Sequence, residues 1–294
     1  MDKKTKAVLA GIGAYASCAA YRRVKRGKAA KTSGRGQTVL ITGASSGIGR
    51  ELAEVFARRR FDLVLVARSK NRLAELKEEL ELDYGVSVTV IVKDLTDDSA
   101  AKEIYEETTE KGIVVEQLVN NAGAGKEGRV IDTEPETMRD LIRMNVTTLT
   151  LLSHYYGRDM AKRGHGRILN VSSMAALVPD PYFNVYGPTK AYELYLTEAM
   201  YGELKGTGVT VTALCPGPTK TNWAKNAGKA DSFAAKPPEY VAEQAFIGMQ
   251  AGELVVYPNL DFRAFSCAMR LLPTKIQAGA VALWQRMLIK KEKS

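Results

Sequence analysis

Tyr186 and Lys190 stand four residues apart in the run Tyr-Gly-Pro-Thr-Lys, and Ser173 precedes the tyrosine by thirteen. On a helix a four-residue spacing puts both side chains on one face, with the ammonium beside the phenol. A free tyrosine titrates near ~10 and is a poor acid–base group at neutral pH. A fixed cation beside it favours the phenolate and draws its pKa towards the working range. A hydroxyl such as that of Ser173 could hold an oxygen against the phenol. Together these groups could move a proton on and off a carbonyl or alcohol oxygen. Taken alone the spacing is weakly specific, because tyrosine and lysine share a helix face by chance in many proteins. The residues that give it weight lie upstream.

There the chain reads Thr38-Val-Leu-Ile-Thr-Gly43, continues through Ala44, Ser45 and Ser46, and closes with Gly47, Ile48, Gly49 and Arg50. An apolar β-prone run ends at Thr42, a glycine-rich turn follows, and a helical pattern extends to about Arg60. Strand, glycine turn and helix start form a phosphate cradle, in which backbone approaches a pyrophosphate and free N–H groups point at it. Gly43, Ser45, Ser46, Gly47, Ile48 and Gly49 are the expected contacts. The spacing is Gly-x-x-x-Gly-x-Gly rather than the common Gly-x-Gly-x-x-Gly fingerprint. A tight turn with no ligand is the bland alternative. Three glycines in seven residues directly after a buried-looking strand weigh against it.

The second strand, Asp62 to Ala67, runs into Arg68, Ser69 and Lys70 with no carboxylate at its end. An acidic residue there accepts the adenosine ribose hydroxyls of NAD, whereas an arginine accommodates a 2′-phosphate. The expected cofactor is therefore NADP(H), with Arg68 on the phosphate and Ser45 or Lys70 as further candidates. The bland reading of Arg68 is a solvated charge at a loop start.

These residues resemble the short-chain dehydrogenase/reductase family over roughly residues 37 to 260. Thr42 to Gly49 is similar to its Thr-Gly-x-x-x-Gly-x-Gly element, and Asp94, followed by Leu95, falls where the family places an acidic residue at the adenine ring. Asn120, Asn121, Ala122 and Gly123 resemble its Asn-Asn-Ala-Gly element. Pro216, Gly217, Thr219 and Thr221 lie in its Pro-Gly-x-x-x-Thr element near the nicotinamide. The resemblance implies a tetrad of Asn145, Ser173, Tyr186 and Lys190, with Ser173 chosen over Ser172 because the gap to the tyrosine fits the family's spacing. It further implies hydride transfer between the nicotinamide and a carbonyl carbon. Ser173 would hold the oxygen and Tyr186 would protonate it. Lys190 would lower the phenol pKa and bond the nicotinamide ribose, and Asn145 would link the lysine through water to solvent. Gly187 and Pro188 depart from the small helix formers usual in that interval. Proline is tolerated only in a helix's first turn, so the helix is expected to start near Asn184.

The expected fold is α/β, a single doubly wound parallel-sheet (Rossmann-like) domain of about seven strands with helices on both faces. Strands are expected at 38–42, 62–67, 87–92, 117–120, 166–171, 209–214 and 253–257. Helices are expected at 47–60, 69–83, 97–110, 135–162 and 184–205. Residues 37–260 form the catalytic domain, flanked by a basic arm at 1–36 and a tail at 261–294. Within the domain, residues 216–238 lose regular patterning and correspond to the family's substrate lid. Tyr182, Phe183 and Trp223 are candidates for an apolar substrate wall, or equally for packing the lid onto the core. In the tail, Ile276, Ala280, Leu283, Trp284, Met287 and Leu288 recur at helical spacing. They define an amphipathic helix expected to pack near the substrate entrance or in a dimer interface.

Ten of the basic residues and a single acidic one fall in residues 1–36, which leaves 32 of each sign in the remainder. The net charge of +9 therefore belongs to the arm, and a basic surface for nucleic acid is not supported. The apolar run Ala7–Tyr21 falls short of the ~20 residues that span a bilayer. A signal peptide fits its length but not a dissociable cytoplasmic cofactor. A short anchor on the cytoplasmic face of a membrane and a disordered basic arm remain open. The three cysteines and two histidines are scattered, so neither a metal site nor a disulfide framework is expected, in keeping with a cytoplasmic location.

The leading expectation is an NADP(H)-dependent enzyme acting on a lipophilic ketone or secondary alcohol, such as a hydroxysteroid. A 3-oxoacyl thioester reductase and a non-catalytic NADP(H) sensor on the same fold are the alternatives. A homodimer or homotetramer is expected by family analogy.

Overall fold

The β-branched apolar runs pair into one sheet because their side chains are apolar on both faces, as a sheet covered on both sides requires. The computed structural model describes residues 20–228 and 234–292. Its strands are β1 (Thr38–Thr42), β2 (Asp62–Ala67), β3 (Val88–Val92), β4 (Val115–Asn120), β5 (Gly166–Val171), β6 (Val209–Leu214) and β7 (Val255–Val256). They lie in the order β3-β2-β1-β4-β5-β6-β7, and every pairing is parallel. Strand order reverses between β1 and β4, which opens a crevice at their carboxyl ends.

The period of two along each strand sends alternate residues to two cores. Val39, Ile41, Leu63 and Leu65 pack with Leu52 and Phe56 of α2 (Gly47–Arg58), Leu73 and Leu76 of α3 (Lys70–Tyr84), and Phe246 of α9 (Pro238–Ala251). Leu40, Val64 and Val66 pack instead with Ile104 of α4 (Ala100–Glu110) and with Leu152 and Met160 of α6 (Leu149–Arg163). Phe56 meets Phe61 and Phe246 edge-on at 5.0 Å, an arrangement favoured by the ring quadrupoles.

Several elements depart from their expected bounds, each for a local reason. The helix expected at 135–162 is three pieces: α5 (Pro135–Ile142), a π-helical turn over Arg143–Thr148, and α6. Asn145 sits in that widened turn, where its amide reaches across to both backbone groups of Ala124. The helix expected near Asn184 is α7 (Tyr186–Glu203), two residues later, because Asn184 adopts a left-handed φ of 52°. Pro188 is thereby the third residue of α7, where no intrahelical N–H bond is lost. β7 is shorter than expected, at two residues.

The tail forms two helices, α10 (Leu260–Arg270) and α11 (Thr274–Glu292), separated at Leu271–Pro273. Its buried side is not the expected one. Ile276, Leu283, Trp284 and Met287 are more than half exposed, while Gln277, Val281 and Gln285 face inward. Polar ties set this orientation: Gln285 Nε2 donates to Asp180 Oδ1 at 2.9 Å, and Arg270 Nε donates to Leu177 O at 3.0 Å. The side chain of Leu288 lies outside the described residues.

Of the basic arm, residues 20–29 form α1, which docks on the domain. Arg26 bonds Glu253 at 2.9 Å and Gln244 at 2.6 Å, and Ala29 is buried. Residues 1–19 of the arm and 229–233 of the expected lid, Phe233 included, lie outside the described residues. Among the described residues no helix is long and apolar enough to cross a membrane.

Candidate active site

The crevice between β1 and β4 opens into a cavity of about 1150 Å³. At one end is the glycine turn. Gly43 takes a φ of 68°, and a Cβ on it would stand 2.9 Å from Ala122 Cα. Gly49 packs so closely that a Cβ would overlap the Gly43 carbonyl oxygen and the Asn121 amide. Asn121 fastens this approach, its Nδ2 donating to Thr42 O at 2.9 Å while its N–H donates to Thr42 Oγ1 at 3.0 Å. Backbone is thus held where a phosphate chain can reach it, and Gly43, Ser45, Ser46, Gly47 and Ile48 line the cavity. Ser46 caps α2 without a side-chain bond to it.

Leu95, Asn121, Ala122, Gly123, Pro216, Gly217, Thr219 and Thr221 also line the cavity. Gly49 is just behind the lining, and Asp94 is outside it. The Asp94 carboxylate instead closes its own loop, accepting from Thr96 N at 3.0 Å and from Thr96 Oγ1 at 2.9 Å. At the end of β2, Arg68 lines the cavity as expected, whereas Lys70 does not. Ser69 and Arg72 line it in place of Lys70. Arg72 lies in the first turn of α3, and no spacing in the sequence ties it to Arg68, which precedes the helix.

At the other end Ser173 and Tyr186 meet. Ser173 follows β5 and accepts from Ala175 N at 3.1 Å, and its hydroxyl lies close enough to the Tyr186 phenol to pull the phenol pKa down. Ser172 points away, donating to Lys190 O at 2.7 Å. The Tyr186 ring packs against Phe183 at 5.2 Å and Trp223 at 4.9 Å between centroids. Trp223 belongs to α8 (Trp223–Ala227) and donates its Nε1–H to Gly123 O at 3.2 Å. Phe183 and Trp223 therefore line the cavity beside the phenol, and Tyr182 does not.

The electrostatics of the pair differ from the expected ones in this geometry. Burial pushes the Tyr186 phenol pKa up, and the nearby Ser173 hydroxyl only partly offsets this. The Lys190 Nζ is 5.8 Å from the Tyr186 ring centre and donates to Val171 O at 2.9 Å. It also donates to both oxygens of Glu193, at 2.8 and 2.9 Å. A cation neutralised by its own carboxylate cannot offset the desolvation of a phenolate. Asn145 is fully buried, and besides Ala124 it bonds Thr189 Oγ1 at 2.9 Å, one residue from the lysine.

The rest of the cavity is walled by Met174 and Val178 after β5 and by Val281, Trp284 and Ile289 of α11. Apart from Trp284, these residues carry no sequence signal that separates a wall from ordinary packing.

Doubly wound sheets take up dinucleotides at their switch point, and here that point carries both the cradle and the hydroxyl pair. By class the molecule is a dinucleotide-binding oxidoreductase. A model of the short chain dehydrogenases matches residues 37–232, and the chain belongs to that family, whose members act on CH–OH and C=O groups with a nicotinamide cofactor. It is 32% identical to the 7beta-hydroxysteroid dehydrogenase of Collinsella aerofaciens over 77% of this chain and 88% of that protein. It is also 32% identical to the very-long-chain 3-oxoacyl-CoA reductase of Kluyveromyces lactis over 60% of this chain, a match that spans about half (54%) of that relative. The structure of a short-chain dehydrogenase from Sphingobium yanoikuyae in complex with NADPH superposes with a TM-score of 0.73 at 35% identity, covering 80% of this chain and 94% of that one.

Proposed function

We propose that the protein is an NADP(H)-dependent oxidoreductase that interconverts a bulky, lipophilic ketone and its secondary alcohol. The observation that carries this reading is that Ser173 and Tyr186 line, beside Trp223 and Phe183, one end of a cavity whose other end is the phosphate cradle. The residues present fit the cofactor: Arg68 and Arg72 line the cavity past the end of β2, which ends in no carboxylate, and could take a 2′-phosphate. For this Arg68 would exchange its 3.8 Å contact with Asp94. An NADPH-bound relative and a hydroxysteroid dehydrogenase among the similar proteins support the same reading.

When bound, the nicotinamide exchanges a hydride with the carbonyl carbon. Ser173 then holds the carbonyl oxygen, and Tyr186 delivers a proton to it or removes one. Lys190 would bind the nicotinamide ribose and, once free of its carboxylate, stabilise the phenolate, and Asn145 would continue the proton path past Thr189. Trp223, Met174, Val178 and α11 exclude water around the reacting carbon.

Because burial holds the phenol protonated, kcat for reduction at saturating NADPH is expected to run unchanged through neutral pH. Oxidation needs the phenolate and should rise as the pH rises. The test is NADPH absorbance against steroid ketones and 3-oxoacyl thioesters, with Tyr186→Phe as control. Turnover of the ketones, lost by about a thousandfold in the variant with NADPH binding kept, is the expected result. Turnover of thioesters alone moves the substrate class. NADPH binding without any turnover makes the protein a sensor.

A further inference from the structure

Glu193 follows Lys190 by three residues on α7, and none of it reaches solvent. An ammonium has three protons. The bonds from Lys190 Nζ to Val171 O and to both Glu193 oxygens place all three inside the protein. None of the three is made to Tyr186, although Lys190 borders the cavity and its Nζ stands over the Tyr186 ring, 5.8 Å from the centre. At a surface such a pair contributes little; out of water, each partner is costly to leave unpaired, so the contact holds. The bond from Ser172 Oγ to Lys190 O fixes the turn from which the lysine departs. Any movement of the ammonium is therefore a rotation of one side chain. It has only a short way to go, since Nζ lies 3.0 Å from where a Cβ on Gly123 would stand, at the edge of the cofactor strip.

We propose that Glu193 is a positioning residue for the reaction: its buried carboxylate holds the Lys190 ammonium against Val171, away from the phenol, and a nicotinamide ribose binds by drawing the ammonium off it. This rests on the roles given above to Tyr186 and Lys190. The carboxylate weakens cofactor binding in the resting protein. It also keeps the phenol protonated until the cofactor arrives, because its charge is one of those that raise Tyr186.

Burial pushes the Glu193 carboxyl up to about 7, against the opposing pull of Lys190. The titratable groups coupled to it are Lys190 and Tyr186 on its own helix and Cys215 after β6, a thiol that burial pushes up to about 12. The polar groups that β5, the residue after it and the π-helical turn bring to α7 are neutral: Asn170 bonds Thr197, Ser172 bonds Lys190 O and Asn145 bonds Thr189. Protonation of Glu193 frees the ammonium, so cofactor affinity should rise as the pH falls through this range.

The test is the NADPH dissociation constant of the full chain and of Glu193→Gln, read by quenching of tryptophan fluorescence on both sides of about pH 7. Thermal melts with and without NADPH accompany it. Above that pH the variant should bind NADPH about tenfold more tightly, as expected when a charge-assisted competitor becomes a neutral one. The free variant should melt lower, having lost a buried counter-ion, yet gain more from NADPH than the wild type does. A 2′-phosphate titrates identically in both proteins, so the difference in pH dependence isolates Glu193. Glu193→Asp, which keeps the charge, should restore the wild-type pattern.

Equal affinity and equal pH dependence in wild type and Glu193→Gln overturn the proposal, and so does weaker binding by the variant. Absence of NADPH binding in both sinks the functional reading and this proposal with it. Should Glu193→Gln fail to fold, the wild-type profile with NADH, which has no 2′-phosphate, decides: a flat profile overturns the proposal.

Discussion

In the cofactor cradle, Gly43, Gly47 and Gly49 come from seven consecutive residues; Gly43 and Gly49 press on backbone atoms and the fastened Asn121 amide, and Gly47 on the Thr221 side chain. The substrate wall takes Met174 and Val178 from the turn after β5, Trp223 from α8, and Val281, Trp284 and Ile289 from a helix about a hundred residues further on. The cradle is fixed by the shape of the main chain, which cannot yield without breaking β1 and β4 apart. The wall consists of side chains on separately attached elements, which can yield. One added methyl group should therefore matter greatly in the first region and modestly in the second.

The largest effect is expected from Gly49→Val, because its side chain would have to occupy the space of the Gly43 carbonyl and the Asn121 amide. Overpacking of this kind costs about 1–3 kcal/mol even where side chains can move, and here backbone must shift. Loss of NADPH binding together with a lower Tm is the expected outcome, read by fluorescence titration and thermal melt. A variant that binds and melts as the wild type does would erase the contrast between the two regions.

Next in size is the pair Arg68→Ala and Arg72→Ala. Hydrogen bonds to charged groups contribute about 1.5–3 kcal/mol each, so the double variant should raise the KM for NADPH by about tenfold or more. The KM for NADH should stay unchanged. Equal losses with both cofactors would place the arginines on the shared pyrophosphate and shift the assignment of NADP(H) elsewhere.

The same contrast explains which features the sequence made legible. The glycine turn, the end of β2 and the Tyr186–Lys190 spacing are local, so residue order carries their geometry. Continuous apolar runs carried the strands for the same reason, to within a residue or two at most ends. Arg72 looked like any solvated charge, and Arg68 lies outside the helix that carries it. Glu193 was hidden differently. An acid three residues after a lysine is the pattern of a surface ion pair, and only the packing of α7 on β5 and β6 removes it from water. The face of α11 ran opposite to its apolar periodicity because Gln285, Arg270 and Asp180 tie the tail down through polar groups. Hydropathy cannot register such ties.

That reversed face supplies the finest test. Gln285→Leu removes the bond to Asp180 Oδ1 while retaining most of the side-chain volume. A net hydrogen bond contributes about 1 kcal/mol, so α11 should loosen without unfolding the domain. The expected result is a rise of about threefold to fivefold in KM for a bulky ketone, with kcat and the KM for NADPH unchanged. Ile276→Ser and Leu283→Ser, on the exposed side of the same helix, should leave all three parameters unchanged. A KM that responds to Leu283 and not to Gln285 would mean that the exposed apolar side of α11, and not Trp284 alone, meets the substrate. In that case the polar ties would hold only the resting position of the helix, and the wall would belong with the Lys190–Glu193 pair as a part that moves when the site fills.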